Sequence, residues 1–174
     1  MSARVFGVDE QDAHPVDVTR WVRLAEDVLT AERVRRDSEL SLLFVDEPTM
    51  AELNERHMGK DGPTDVLAFP IDDDAIEPGR WPDNGTAGPD RPVLELDELP
   101  SLLGDVVVCP TVAARQAPEH AGPSHDGSVD DEIALLVVHG ILHVLGMDHA
   151  EPDQEKAMFA KQDDLLARFH KPRA

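Results

Sequence analysis

The chain has 174 residues, 41% of them apolar, which suits one globular domain over residues 1–174 and excludes wholesale disorder. Sixteen Lys and Arg against 36 Asp and Glu give a formal net charge of −20, which argues against binding that rests on a broadly basic surface. One cysteine, Cys109, rules out an internal disulfide framework, no apolar run reaches the roughly 20 residues of a membrane span, and residues 1–10 carry no secretory pattern. A cytoplasmic location is expected.

The first predicted element is a short strand, Arg4 to Val8. From Pro15 the apolar positions Val18, Trp21, Val22, Ala25, Val28 and Leu29 recur at helical spacing, predicting an amphipathic helix to about Arg35 with Pro15 in its first turn. Glu39 to Val45 reads as a strand partly buried on both faces. Asp46 to His57 reads as a short helix with Met50, Ala51 and Leu53 inward, ended by Gly62-Pro63. Thr64 to Pro70 is a third strand.

Residues 71–103 then carry nine carboxylates against Arg80 and Arg91, together with five prolines, and predict an exposed acidic loop. About a third of the excess charge is thus expected away from any active site. Gly104 to Cys109 is a fourth strand, its β-branched run pointing to a buried position. Thr111 to Ala117 predicts a helix ended by Pro118, and Pro118 to Ser128 a loop. Two helices close the chain, Val129 to Leu145 and Pro152 to Phe169, the second with acid at its positive end. The elements imply one α+β domain: a small sheet with helices against it.

Chemistry concentrates in residues 139–149, His-Gly-Ile-Leu-His-Val-Leu-Gly-Met-Asp-His. His139 and His143 stand four apart, so both rings lie on one helix face about a turn apart. Gly146 suits the left-handed bend that closes a helix. Met147 and Asp148 leave enough chain for His149 to swing back. Three neutral imidazoles with one open position are a recognised arrangement for catalytic zinc, which activates water near neutral pH. Nickel or copper would also accept such ligands.

A lone helical histidine among Leu and Val is ordinarily a core residue with a hydrogen-bonded ring. Three in eleven residues, with glycine at the bend, favour one zinc ion held by His139, His143 and His149. The other five histidines, His14, His57, His120, His125 and His170, show no ligand spacing and read as surface or loop residues. Gly140 occupies the place where His-Glu-x-x-His peptidases carry their general base. A carboxylate could come from Asp148 or Asp65, although Asp148 reads better as a turn former or a partner of a ligand ring.

These residues resemble the YbeY family of bacterial rRNA-maturation endoribonucleases. The 139–149 block is similar to its signature, His-Gly-x-Leu-His-Leu-x-Gly-Tyr-Asp-His, with Met147 in place of tyrosine. Pro63-Thr-Asp-Val-Leu-Ala-Phe-Pro70 resembles its Pro-Thr-Asp-Val-Leu-Ser-Phe-Pro, with Ala68 for serine. Gly104-Asp-Val-Val-Val-Cys109 and Glu151 to Met158 match further blocks, in the family's order, over roughly residues 38 to 170.

The resemblance implies a zincin-like domain with a mixed four-stranded sheet packed with about five helices. It implies one zinc ion and single-strand-specific cleavage of RNA, in 16S rRNA 3′-end maturation and ribosome quality control. The 30S or 70S ribosome, and ribosomal or assembly proteins, are the partners it implies. The family often has Tyr-Arg before the Pro-Thr-Asp block, its arginine implicated in activity; here those places hold His57 and Met58, with Arg56 and Lys60 nearby. Two other readings compete: a zinc peptidase with a base from outside the motif, and a non-catalytic ribosome assembly factor with structural zinc.

Overall fold

The computed structural model describes residues 3–35, 37–71, 101–122, 125–147 and 151–170. Strand β1 (Arg4–Asp9) leads into helix α1 (Val18–Ala31), which begins at Asp17, whose carboxylate accepts from the Arg20 amide. Pro15 therefore lies before the cap and not in the first turn, because Asp17 is the residue able to satisfy a free N–H. The helix stops at Ala31, short of the expected Arg35. Its last carbonyls are closed by the Arg33 and Val34 amides, with Arg33 at a φ of 58°. Trp21, Leu24, Ala25, Val28 and Leu29 form its buried stripe.

Strand β2 (Ser38–Phe44) alternates buried and half-buried positions. Helix α2 (Glu47–Met58) is capped by Asp46, which accepts from the Thr49 amide at 2.9 Å. Gly59, at a φ of 65°, ends α2 before the expected Gly62-Pro63. Buried Asn54 donates to the Gly62 carbonyl at 2.9 Å and ties this turn to the helix.

Strand β3 (Val66–Pro70) is shorter than expected and begins after Thr64 and Asp65, whose side chains hydrogen-bond to one another. Strand β4 (Ser101–Val108) is longer, so residues 101–103 of the expected acidic loop belong to the sheet; residues 72–100 lie outside the described residues. Pairing accounts for the extension. Leu102 faces Glu39 and Gly104 faces Leu40, leaving Leu103 as an extra residue at a bulge. Gly104 sits there with a φ of 144°, where a Cβ would lie 2.3 Å from the Phe69 carbonyl oxygen.

The sheet order is β1-β2-β4-β3, with β1, β2 and β4 parallel and β3 antiparallel to β4. Helix α3 (Pro110–Gln116) follows, then a 3₁₀ turn, Ala117–His120, so Pro118 ends the α-helix without ending helical structure. Helix α4 (Val129–Val144) and helix α5 (Pro152–Leu165) complete the set, and a π-helical turn, Leu166–His170, extends α5.

Helices α1, α4 and α5 cover one sheet face, around Leu40, Leu42, Phe44, Val106 and Val108. On the other face α2 places Met50 and Leu53 against Leu67, Val107 and Cys109. The α+β class and the mixed four-stranded sheet agree with expectation. Among the described residues no helix is long and apolar enough to cross a membrane.

Candidate metal centre

Helix α4 is built to be buried. Ser128 caps it by accepting from the Asp131 amide at 3.1 Å, and Asp130, Asp131 and Glu132 place negative charge at its positive end. From Ile133 onward almost every residue is apolar and buried, because α4 is surrounded by the sheet, α1, α3 and α5. Three positions break that pattern: Leu135, His139 and His143 are half-buried, and their spacing of four defines one stripe open to solvent.

His139 and His143 converge within this stripe. Their Nε2 atoms lie 3.0 Å apart, with ring planes inclined at 77°. Two nitrogens bound to one tetrahedral zinc at about 2.0–2.1 Å would stand about 3.3 Å apart. The pair therefore already has close to the separation that one ion requires of two imidazoles. On its far side, His139 Nδ1 lies 3.0 Å from the side-chain carbonyl oxygen of Gln162 on α5.

Beyond His143 the helix closes as its glycine implied. Gly146, at a φ of 98°, donates to the His143 carbonyl, and Met147 donates to the Leu142 carbonyl. This two-bond closure turns the chain at Gly146. Asp148 and His149, the second-sphere candidate and the third expected ligand, lie outside the described residues.

Gly140 faces the sheet. A Cβ there would lie 2.6 Å from Val106 Cγ1 and 3.4 Å from Val66 Cγ2. The position that carries glutamate in zinc peptidases is here the contact at which α4 packs onto β3 and β4. A carboxylate side chain has no room.

At the amino end of α4 lies a polar network that spacing had not indicated. Glu132 is fully buried and accepts from Gln116, His120 and His125 at 2.9 Å each. The Gln116 amide nitrogen also donates to Asp65 at 2.7 Å, tying the start of β3 to the first turn of α4. Asp65 further accepts from the Val66 amide at 2.7 Å, so both of its carboxylate oxygens are engaged. His125 receives the Gly127 amide on Nδ1, so its Nε2 carries the proton donated to Glu132. Asp131 accepts from His170 at 2.8 Å and from the Asp126 amide at 2.8 Å.

His120 is exposed and His125 lies in the loop before α4, as expected, yet both, like the better buried His170, also satisfy a buried carboxylate that would be costly to leave unpartnered. His57 packs edge-on against Phe69, and His14 remains a loop residue. One signal could have found Glu132: it stands seven residues before His139, on the same helix face.

His125, Asp126 and Asp131 also offer ligand atoms within 4.8 Å of one another, a spacing at which they could share a metal ion. This group stands at the opposite end of α4 from His139, about 12 Å along the helix from Asp131 at 1.5 Å per residue. Its atoms already serve hydrogen bonds to Gly127, Glu132, His170 and Asp126. The imidazole pair of His139 and His143, with its facing nitrogens, is the stronger candidate for holding a metal.

Arg56 and Lys60, the cations nearest the family's arginine position, are exposed on α2 and in the turn after it. Arg56 pairs with Glu52 at 2.8 Å, one turn earlier.

The family model described as Endoribonuclease YbeY matches residues 8–170. A protein of Thermobifida fusca named Endoribonuclease YbeY is 48% identical over 94% of this chain and 93% of its own length. One from Nocardioides sp., of the same name, is 45% identical over 91% of this chain and 93% of its own. A Thermotoga maritima protein solved in solution superposes with a TM-score of 0.54 at 24% identity, over 96% of this chain and 88% of that one, a likeness of fold. Matched along nearly its whole length, the chain belongs to the endoribonuclease YbeY family.

Proposed function

We propose that the protein is a zinc-dependent, single-strand-specific endoribonuclease acting in 16S rRNA 3′-end maturation and ribosome quality control. The observation that carries this reading is the facing pair of imidazole nitrogens of His139 and His143, 3.0 Å apart on an open stripe of a buried helix. Membership of an endoribonuclease family supplies the substrate class.

In this reading His139, His143 and His149 hold one zinc ion. When bound, zinc supplies a Lewis acid towards a phosphate oxygen and makes a nearby water more acidic. The chain supplies the rest. Helix α4 fixes the two rings on a rigid, buried element, so little reorganisation is needed when RNA enters. The Arg56–Glu52 pair is highly exposed and weakly held, so Arg56 can exchange Glu52 for an RNA phosphate at little cost. Lys60 is exposed just beyond. The RNA is recognised on the 30S or 70S ribosome, in the cytoplasm.

The test is His143→Ala. It should abolish both zinc retention and cleavage of rRNA fragments while leaving the far-ultraviolet circular dichroism unchanged. Cleavage at the wild-type rate by a zinc-free variant would overturn the mechanism.

The net charge of −20 favours a second reading, an assembly factor whose zinc is structural. X-ray absorption that found four protein ligands on the metal would favour it. A peptidase is disfavoured by the packing of Gly140.

A further inference from the structure

Helix α5 touches the rest of the molecule through a narrow seam. Met158, Gln162 and Leu165 are its buried residues, and their spacing places all three on one face. Two of them are apolar, as a helix seam requires. Gln162 is only 6% exposed, in a seam position of the kind that leucine or methionine ordinarily fills. A buried amide is costly unless hydrogen-bonded, so its presence calls for a partner. That partner is His139 Nδ1, 3.0 Å from Gln162 Oε1.

We propose that Gln162 is a positioning residue for the metal ligand His139. The inference rests on the metal reading above. A carbonyl oxygen can only accept, so Nδ1 must carry the imidazole proton. Nε2 then keeps its lone pair, and Nε2 is the atom that faces His143. The bond therefore selects the tautomer able to bind metal and fixes the plane of the ring. Ligand histidines commonly hand their second nitrogen to such an acceptor, and loss of the acceptor typically weakens metal binding by about 10–100-fold. The seam matters too, because Met158 and Leu165 anchor the amide on a helix different from the one that carries the ligands.

Zinc affinity measured by competition with a chromophoric chelator tests this. Gln162→Leu and Gln162→Met remove the acceptor but keep an apolar seam, and each should bind zinc about 10–100-fold more weakly. Gln162→Glu retains an obligate acceptor and should bind at least as tightly as wild type. Thermal unfolding of the metal-free variants at or above the wild-type midpoint would show that the loss is not misfolding. Wild-type affinity in both apolar variants would overturn the proposal. So would Gln162→Glu binding as weakly as they do, since packing alone would then explain the effect. His143→Ala separates the two levels: if it binds zinc like wild type, the metal reading itself has failed. If it loses zinc while the apolar variants do not, only the role of Gln162 has failed.

Discussion

Glu132 shows how much of the site's framework depends on single residues. Its carboxylate has no exposed surface and is held by three N–H donors from Gln116, His120 and His125. Glu132→Ala would leave those donors facing a cavity and should destabilise the protein by about 2–4 kcal/mol, read from urea unfolding. A change below 0.5 kcal/mol would mean that water replaces the carboxylate without loss. Cys109 differs: it is a free thiol buried against Met50, Leu67 and Val107, and burial pushes its pKa up, so it is a packing residue. The histidines were legible in proportion to how local their chemistry is. His139 and His143 owe their meeting to helical periodicity, which spacing reveals. His120, His125 and His170 meet carboxylates 7 to 39 residues away along the chain, and only the tertiary fold brings those pairs together.

At the scale of elements, helix α4 fits against the sheet because residue 140 has no side chain. Gly140→Ala would gain about 1 kcal/mol of helix propensity. It would also drive a Cβ to within 2.6 Å of Val106, a stiff, fully buried side chain. Overpacking of this kind costs about 1–3 kcal/mol, so the packing term wins and a lowered unfolding midpoint is expected. A raised midpoint would show that α4 can slide.

Helix α2 depends on its cap. The hydrogen bond from Thr49 holds the Asp46 carboxyl below its ordinary pKa. Such a group contributes stability that is fully present above the unfolded carboxylate pKa and lost as pH falls through the folded one. Asp46→Ala should therefore lower the unfolding midpoint at pH 7, and the gap from wild type should close as the solution is acidified. A gap that does not change with pH would refute the charged cap. Element types followed from periodicity, while their ends did not. Asp17, Gly59 and the bulge at Gly104 each moved a boundary by capping or pairing chemistry that a hydrophobic pattern does not register.

For the whole molecule, the main question is how a chain of charge −20 handles a polyanion. Nine carboxylates and two arginines fall within residues 71–103, so a surplus of seven negative charges is concentrated there. Outside that segment 14 Lys and Arg still face 27 Asp and Glu, so the cations able to displace counterions from RNA are outnumbered there too. A binder that neutralises 6–10 phosphates loses about 10³–10⁵ in affinity between 50 and 200 mM salt. Here the KM for single-stranded RNA should change by less than about tenfold over that range, measured at fixed zinc. A steep loss would reveal a basic surface that the net charge conceals.

The two walls of the candidate metal centre differ in how firmly they belong to the molecule. Helix α4 is enclosed by the sheet and three helices, whereas α5 is exposed along most of its length and anchored by Met158, Gln162 and Leu165. Native-state openings begin where few buried contacts must break, so α5 can fray while α4 stays intact. Such a partial opening would strip His139 of its acceptor and free its ring to turn, while the backbone of α4 stayed in place. An ion held there, as proposed, would then exchange through brief excursions of one peripheral helix, at a rate set by that helix's local stability and not by global unfolding.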